Sequence, residues 1–299
     1  SLLVVGTLAY DTVETPSGRA EEVLGGAATY FSYAASFFGP VRLVGAVGED
    51  FREEDKALLA RRGVDLAGLE VRRGKSFRWS GRYAGDLNVA ETLETRLNVL
   101  SGYAPRLPPA FRDSRFVFLA NSPPSLQGGV LSQVRPGAFK VMDTMNLWLR
   151  TERAGVLSLL RQVDALVIND QEARMLAEEP TLIRAGRAIL SMGPKLVVVK
   201  KGEHGAFLFH RDFFFAIPAY PVENVVDPTG AGDSFAGGFM GHLARAGSVD
   251  EGELKRAVLY GSVLASFNVE DFSLRRFQRI DGRDVEARYR DLLRFTAHP

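Results

Sequence analysis

Short apolar runs alternate with helical patterns, and this alternation constrains the fold more than any other feature of the sequence. Apolar runs that end at or near Gly, Asn or Asp cover residues 2–6, 41–48, 115–121, 139–143, 164–170 and 195–202. Hydrophobic spacing typical of helices covers residues 27–38, 51–62, 150–163 and 182–192. Continuous Val, Ile and Leu runs are typical of strands buried on both faces. We predict an α/β fold with a central, mainly parallel sheet flanked by helices.

Two segments interrupt this alternation. Residues 11–26 and 68–102 have β-like alternation and Gly-centred turns but no helical period. Phe77, Trp79 and Tyr83 recur at even spacing, as they would on one face of a half-buried strand. We predict that the two segments form a small inserted β-sheet, the lid; a long surface connection is the alternative. The body of the protein would then comprise residues 1–10, 27–67 and 103–299.

Charge and cysteine content exclude several classes of function. Lys and Arg number 37 and Asp and Glu 36, a net charge of +1, so no bulk field attracts nucleic acid or an anionic membrane. No apolar run approaches the length of about 18 residues needed for a membrane span. The absence of Cys excludes disulfides, thiolate zinc sites and a Cys nucleophile, and it fits a reducing cytoplasm. We expect a cytoplasmic protein with a small-molecule partner, and neither a nucleic-acid nor a membrane partner.

Polar residues follow the predicted strands of the body. In parallel α/β sheets, ligands bind beyond the carboxyl ends of the strands. A site is therefore predicted from Asp11, Asn121, Asp143, Asn169 and Lys200.

The stretch VVDPTGAGDSFAGGF, residues 225–239, points to chemistry on an anion. Asp227-Pro228 stops regular structure, and Gly230-Ala231-Gly232 opens a helix whose free N–H groups attract a phosphate or a developing oxyanion. Asp233 follows at once, where its carboxylate could take a proton from an attacking hydroxyl. Alternatively, Asp233 is a first-turn acid that only stabilises the helix dipole. The spacing does not match a P-loop, and the first loop, GTLAYD, lacks the dinucleotide fingerprint of a dehydrogenase.

This stretch resembles the D-T-x-G-A-G-D signature of the ribokinase family, the PfkB-type carbohydrate kinases, with Pro228 in place of the Thr. Further matches occur in the order that the family has them. They are Gly25-Gly26, VGAVGEDF at 44–51, N-x-x-E at 169–172 and K-x-G-x-x-G at 200–205. The resemblance spans nearly the whole chain and implies a ribokinase-like fold in which the inserted β segments form the lid.

The resemblance implies an ATP- and Mg²⁺-dependent kinase. Asp233 would be the base that deprotonates a substrate hydroxyl, and the N–H groups of Gly230, Ala231 and Gly232 would stabilise the transferring phosphoryl group. Glu172 would act on Mg²⁺ through ordered water, although by position it is also a first-turn helix acid. The residues implied in nucleotide binding are Asn169, Lys200, Gly202, Gly205, Thr229 and Asn268.

Two of these assignments carry alternatives. Asn268 is a candidate contact for adenine, but it follows Phe267 at a predicted helix end and could instead be a C-cap. Asp227 resembles the first signature Asp, near which some family members bind a monovalent cation such as K⁺. Pro228 removes an N–H and a hydroxyl at this place.

On the substrate side, the resemblance and the strand-end positions select a second set. Its members are Asp11, Gly25, Gly26, Asn121, Asp143 and Asn146. After the glycine pair the chain reads Ala-Ala-Thr-Tyr, whereas ribokinase has Lys and Asn that contact ribose, so the acceptor need not be ribose.

We therefore predict a sugar kinase. A nucleoside kinase is the alternative, with Phe77, Trp79, Tyr30 or Phe31 supplying a slot for the base. A non-catalytic nucleotide or sugar sensor is a further alternative, which the presence of a base, Asp233, disfavours. The resemblance also allows a homodimer formed through the lid.

Overall fold

The computed structural model of the protein describes residues 1–85 and 87–296. The strands are β1 Leu2–Val5, β2 Ala9–Thr15, β3 Gly18–Gly25, β4 Val41–Gly48, β5 Val64–Arg72, β6 Phe77–Tyr83, β7 Ala90–Arg96, β8 Phe116–Leu119, β9 Phe139–Asp143, β10 Ala165–Asn169, β11 Leu196–Lys200, β12 Ala206–His210 and β13 Phe214–Ile217. The α-helices are α1 Ala27–Ala35, α2 Glu53–Arg61, α3 Pro124–Leu131, α4 Asn146–Thr151, α5 Arg153–Leu160, α6 Asp170–Ala177, α7 Leu182–Ser191, α8 Ala231–Ala246, α9 Glu251–Asn268 and α10 Gly282–Thr296.

Within these described residues, nine strands form one large sheet in the order β13-β12-β11-β10-β9-β8-β1-β4-β5. The pairs from β11 to β5 are parallel, and only β12 and β13 run antiparallel to their neighbours. The prediction of a mainly parallel sheet is confirmed. The strand order reverses between β1 and β8, which is where ligands bind in open α/β sheets.

The large sheet is buried on both faces because apolar side chains occupy successive positions of its central strands. In β1, Leu2 and Val4 belong to one hydrophobic core and Leu3 and Val5 to the other. The first core contains residues of α1, α2, α8, α9 and α10. The second contains residues of α3 to α7. Because successive side chains of a strand point to opposite faces of the sheet, one apolar run packs against both helical layers.

A second, smaller sheet has the order β3-β2-β6-β7. Strand β2 pairs antiparallel with β3 and parallel with β6, and β6 pairs antiparallel with β7. Its inner face forms a separate core in which Trp79 and Tyr83 pack near Val13, Ala20 and Phe272. The even spacing of the aromatic residues therefore did indicate a half-buried strand.

The boundaries of this small sheet differ from those predicted. Residues 68–72, assigned above to the lid, belong to β5 and pair with β4 of the large sheet. Asp11 is not at the end of the first strand of the body but lies within β2 of the small sheet. Strands β12 and β13 were not predicted, because Phe at alternate and adjacent positions obscures their period. No helix in the described part of the chain is long and apolar enough to cross a membrane.

Candidate active site

A cavity of about 1590 Å³ lies between the two sheets, at the carboxyl ends of the parallel strands. Its wall includes residues from or just after β1, β8, β9, β10 and β11, together with the start of α8. Pockets for one small ligand usually measure about 300–1,000 Å³. This cavity is larger, and it has room for two ligands side by side.

The backbone at the start of α8 is shaped for an anion. Gly230, the N-cap, has φ +77°, and a Cβ there would lie 2.3 Å from Cγ of Tyr30, so only Gly fits. The N–H of Ala231 donates to the carbonyl oxygen of Pro228 at 3.1 Å, and that of Ser234 donates to Gly230 at 2.8 Å. The intervening N–H groups, those of Gly232 and Asp233, have no carbonyl to bond within a helix.

The phosphate-binding prediction for Ala231 therefore needs revision. Its N–H is engaged in a turn, and Ala231 is absent from the cavity wall, whereas Gly230, Gly232 and Asp233 are part of it. The start of α8 thus offers an anion the N–H groups of Gly232 and Asp233 in the described conformation.

Two buried carboxyl groups, those of Asp143 and Glu172, and the half-buried carboxyl group of Asp233 lie near this helix terminus. Burial, with the charge of Asp143 nearby, raises the pKa of Asp233 above its ordinary value, and Lys200 opposes the shift. Burial likewise raises the pKa of Asp143. Burial and the charge of Asp143 raise the pKa of Glu172 to about 7. A carboxyl group whose pKa is raised in this way can accept or release a proton near neutral pH, as a general base must.

Lys200, the last residue of β11, places its ammonium beside α8. A Cβ on Gly232 would lie 2.7 Å from Nζ of Lys200. Among the described residues, no carboxylate lies within 4.0 Å of this ammonium. The residue lines the cavity, so an unpaired cation faces the same space as the free N–H groups.

Asn169 and Glu172 bond to each other across the start of α6. Oδ1 of Asn169 accepts from the N–H of Glu172 at 2.8 Å, and Oε2 of Glu172 accepts from the N–H of Asn169 at 3.1 Å. This reciprocal pair is a capping box. The N-x-x-E motif therefore has a structural role, while both residues still line the cavity.

Asp227 lies beneath the loop that leads into α8. It is 1 % exposed, and its Oδ1 accepts from the N–H of Thr229 at 2.9 Å. Its Oδ2 is buried without a hydrogen-bond partner among the described residues. Burial raises the pKa of Asp227. A cation or a water molecule would satisfy this buried oxygen of Asp227.

Asp11 faces the cavity from the small sheet. Burial raises its pKa to about 8, opposed by a hydrogen bond from the N–H of Gly26 and reinforced by the charges of Asp227 and Asp233. A Cβ on Gly25 would lie 1.9 Å from Oδ2 of Asp11. Gly26 has φ +93° and lies against Thr7 and Ala9. The glycine pair thus makes room for the carboxyl group and for the backbone beneath it.

Apolar side chains also line the cavity. They are Phe77, Trp79, Leu97, Leu100, Tyr103, Leu126, Leu147 and Trp148. Nε1 of Trp148 donates to Oδ1 of Asn121 at 2.9 Å, which fixes the indole at this wall. Tyr103 and Trp148 are not among the site residues predicted from the sequence. An aromatic residue shortly after a predicted strand end was the signal that could have found Trp148.

The small sheet and the loop between β6 and β7 contact the body of the protein at two points. The hydroxyl of Tyr83 accepts from Oγ1 of Thr229 at 3.4 Å. At the turn after β11, a Cβ on Gly202 would lie 2.4 Å from Oδ1 of Asn88. In this structure the small sheet therefore lies over the cavity.

The family model for pfkB carbohydrate kinases matches residues 1–279 of the chain. The protein belongs to the pfkB family. It is a phosphotransferase that acts on a hydroxyl group of a sugar or nucleoside. Kinases of this family use ATP with Mg²⁺.

Relatives of this pfkB kinase include a cytidine kinase from Thermococcus kodakarensis, 31% identical over 84% of this chain and 91% of the relative. The fold matches that of a Burkholderia thailandensis nucleoside kinase in complex with inosine, with a TM-score of 0.80 at 19% identity over 98% of both chains. It also matches an aminoimidazole riboside kinase from Salmonella enterica complexed with aminoimidazole riboside and an ATP analogue. The TM-score is 0.77 at 18% identity, over 96% of this chain and 99% of the other.

In this pfkB kinase the cavity brings together most of the predicted site residues. Its wall includes Asp11, Gly26, Asn121, Asp143, Asn169, Glu172, Lys200, Thr229, Gly230, Gly232 and Asp233. The remaining predicted residues lie outside the wall: Gly25, Asn146, Gly202, Gly205, Asp227, Ala231 and Asn268. The sheet topology accounts for the first group, because it aligns the ends of distant strands.

Asn146 and Asn268 differ most from their predicted roles. Asn146 begins α4, and its Oδ1 is buried without a partner among the described residues. Asn268 is 1 % exposed, and both polar atoms of its side chain bond within the chain, to Thr229 and Ser234. In the described conformation, the side chain of Asn268 and Oδ1 of Asn146 are not presented to a ligand.

Proposed function

We propose that the protein transfers the γ-phosphoryl group of ATP to a hydroxyl of a nucleoside. The observation that carries this proposal is the aromatic and apolar wall of the cavity, formed in part by Trp79, Tyr103 and Trp148. A nucleobase is flat and apolar on its faces, and it stacks on aromatic side chains with a gain of about 1–3 kcal/mol. A bare sugar would leave most of this wall uncovered.

The names of relatives support the same acceptor. The cytidine kinase matches over most of both chains, whereas a probable fructokinase-5 of Arabidopsis thaliana, 35% identical, matches only 39% of this chain. A sugar kinase is the second candidate, favoured by the polar groups of Asp11 and Asn121, since such groups suit hydroxyls. A non-catalytic sensor would have no need of Asp233.

The residues present fit ATP and Mg²⁺. The N–H groups at the start of α8 and the unpaired ammonium of Lys200 would hold phosphate oxygens. Asn169 and Glu172 would lie beside the triphosphate, with Glu172 reaching Mg²⁺ through ordered water, because Mg²⁺ keeps much of its hydration. When bound, ATP supplies the phosphoryl group and Mg²⁺ neutralises its charge.

In the proposed reaction, Asp233 takes the proton from the acceptor hydroxyl as that oxygen forms its bond to phosphorus. The bond from phosphorus to the ADP oxygen breaks, and ADP leaves with the electron pair. The N–H groups of Gly232 and Asp233 stabilise the charge on the phosphoryl oxygens. Asp11 orients the acceptor by hydrogen bonds to its other hydroxyl groups.

The small sheet acts as a lid in this proposal. Its contacts through Tyr83 and Asn88 bridge the cavity, and closure would exclude water and so limit ATP hydrolysis. The orphaned Oδ2 of Asp227 is the group that would bind a monovalent cation such as K⁺. The cytoplasmic location and the dimer through the lid stay predictions.

A panel assay tests the function. The purified protein is incubated with Mg-ATP and with nucleosides, sugars, polyols and sugar acids, and ADP release is measured. Asp233→Asn serves as a control that keeps the side-chain shape and removes the base. We expect turnover with a nucleoside, and a loss of about 10²-fold or more in the control, which still binds ADP.

Three outcomes would contradict the proposal. Turnover with sugars and none with nucleosides would favour the sugar kinase. Turnover unchanged in Asp233→Asn would exclude this carboxylate as the base. ATP binding without turnover on any acceptor would favour the sensor.

A further inference from the structure

We propose that Lys200 is a catalytic residue that contacts the transferring phosphoryl group itself, and is not simply part of a turn that covers the nucleotide. The inference deepens the proposed function and rests on it. Its basis is the position of one ammonium group relative to the start of α8.

The side chain of Lys200 is not held in a structural ion pair. Among the described residues, no carboxylate lies within 4.0 Å of its ammonium, and no hydrogen bond holds it. Its neighbour Lys201 differs, because its Nζ lies 3.7 Å from the centroid of the Phe207 ring. An ammonium has three donors, and those of Lys200 are left for a ligand.

The ammonium lies at the anion-binding end of α8. The distance of 2.7 Å from Nζ to a Cβ on Gly232 means that the ammonium occupies the space a side chain would take. Asp233 follows Gly232 in the chain. The two backbone N–H groups that lack helical partners are those of Gly232 and Asp233. A phosphoryl oxygen bound to those N–H groups would therefore be close to Nζ as well.

The surrounding charges support a ligand of this kind. Asp143, Glu172 and Asp233 also line the cavity, and the positive charge of Lys200 opposes the rise in the pKa of all three carboxyl groups. The flexible side chain of Lys200, which forms no ion pair among the described residues, can turn its ammonium toward a phosphate. A positive charge at this position stabilises the phosphoryl group most in the transition state, when negative charge develops on the phosphoryl oxygens.

The turn after β11 does not share this position. Gly202 and Gly205 are absent from the cavity wall, while Lys200 is part of it. Gly202 instead lies against Asn88 of the loop between β6 and β7. Lys200 therefore belongs with the residues of α8 and not with the K-x-G-x-x-G turn in which its sequence places it.

Nucleotide binding without an acceptor provides the test. Isothermal titration compares Mg-ADP with the Mg complex of the β,γ-imido analogue of ATP, which carries a third phosphate that is not transferred. The proteins are wild type, Lys200→Met and Lys201→Met. Lys201→Met is the matched control, since it removes an adjacent ammonium that packs on Phe207 outside the cavity wall.

We expect Lys200→Met to weaken binding of the triphosphate analogue about 10-fold or more while ADP affinity stays within about 3-fold. Lys201→Met should leave both affinities within that range. In turnover, Lys200→Met should lower kcat by about 10²-fold with a smaller change in KM for ATP, and Lys200→Arg should recover part of the loss. Unchanged thermal unfolding of Lys200→Met would confirm that folding is intact.

An equal loss of affinity for both nucleotides would overturn the proposal and return Lys200 to general nucleotide binding. Unchanged affinity for both nucleotides together with unchanged kcat would overturn it too. A wild-type protein that phosphorylates no acceptor would contradict the proposed function, but a selective loss of triphosphate affinity in Lys200→Met would still support the contact.

Discussion

Nδ2 of Asn268 donates a hydrogen bond to the carbonyl oxygen of Thr229 at 2.7 Å. The last residue of α9 is thereby tied to the loop that carries the anion-binding N–H groups. The Oδ1 atom of the same side chain accepts from Oγ of Ser234 in α8 at 2.9 Å. Asn268 therefore positions the loop and the helix relative to each other.

We expect Asn268→Ala to lower the free energy of unfolding by about 1–3 kcal/mol, because it leaves the half-buried Thr229 carbonyl and the buried Ser234 hydroxyl without these partners. Urea unfolding measures this change. The variant should also lose kcat, since the loop is no longer held, while ADP affinity stays within about 3-fold. A selective loss of ADP affinity with unchanged stability would instead support the adenine contact predicted from the sequence.

Gly232→Ala should separate stability from activity. The new methyl group would meet the mobile end of Lys200 and not backbone, so the side chain can move aside at little cost, and Ala favours a helix by up to about 1 kcal/mol over Gly. We expect the melting temperature to stay the same or rise. Displacement of the ammonium should lower kcat by about 10-fold or more.

A double-mutant cycle checks this cause. In a Lys200→Ala background the methyl group meets no ammonium, so Gly232→Ala should have little further effect on kcat. Gly282→Ala is the control, because a Cβ there would have no neighbour within 4 Å. Additive losses in the double variant would show that Gly232 acts independently of Lys200.

The buried carboxyl group of Asp11 should make stability depend on pH. Its pKa is about 8 in the folded protein and about 4 in an unfolded chain, so the folded state binds this proton more tightly. Its contribution therefore opposes folding increasingly as the pH rises from about 4 to 8. We expect Asp11→Asn to gain about 1–4 kcal/mol relative to wild type between pH 5 and pH 9.

Chemical unfolding at several pH values measures the difference between the two proteins. Asp212→Asn, a change at an exposed aspartate whose side chain is 85% accessible, should follow the wild-type profile. Parallel profiles for wild type and Asp11→Asn would contradict the raised pKa of Asp11.

Trp148→Ala should weaken binding of a nucleoside more than that of a sugar. Loss of a stacking surface worth about 1–3 kcal/mol raises KM for the nucleoside about 5- to 100-fold, with KM for ATP nearly unchanged. Trp148→Phe keeps an aromatic face but loses the hydrogen bond to Asn121, so it should lie between Ala and wild type. Equal effects on nucleoside and sugar acceptors would argue against a base at this wall.

Local pattern was sufficient for the elements that bury apolar side chains. The runs at β1, β4 and β8 to β11 predicted buried strands, because continuous Val, Ile and Leu leave a strand no polar face. The small-residue stretch ahead of Asp233 predicted a helix terminus open to an anion. The same approach failed for β12 and β13, whose Phe-rich segments have no clear period.

The roles of individual polar residues depended on tertiary contacts. Asn268 and Asn121 were both predicted to contact a ligand, yet packing buries the first between α8 and the signature loop and leaves the second at the cavity wall. By contrast, Asn169 and Glu172 pair as residues close in sequence, at the spacing of a capping box.

The sequence by itself therefore determined the fold class and the helix terminus that carries Asp233, because these follow from hydrophobic period and local backbone geometry, and its ordered motifs indicated the family by resemblance. Only the tertiary structure decided that Lys200 faces Gly232, that Asp11 belongs to the small sheet and that Trp148 lines the cavity. Those positions arise where strands and helices distant in sequence meet. Their distances depend on how the layers pack, which no local pattern records.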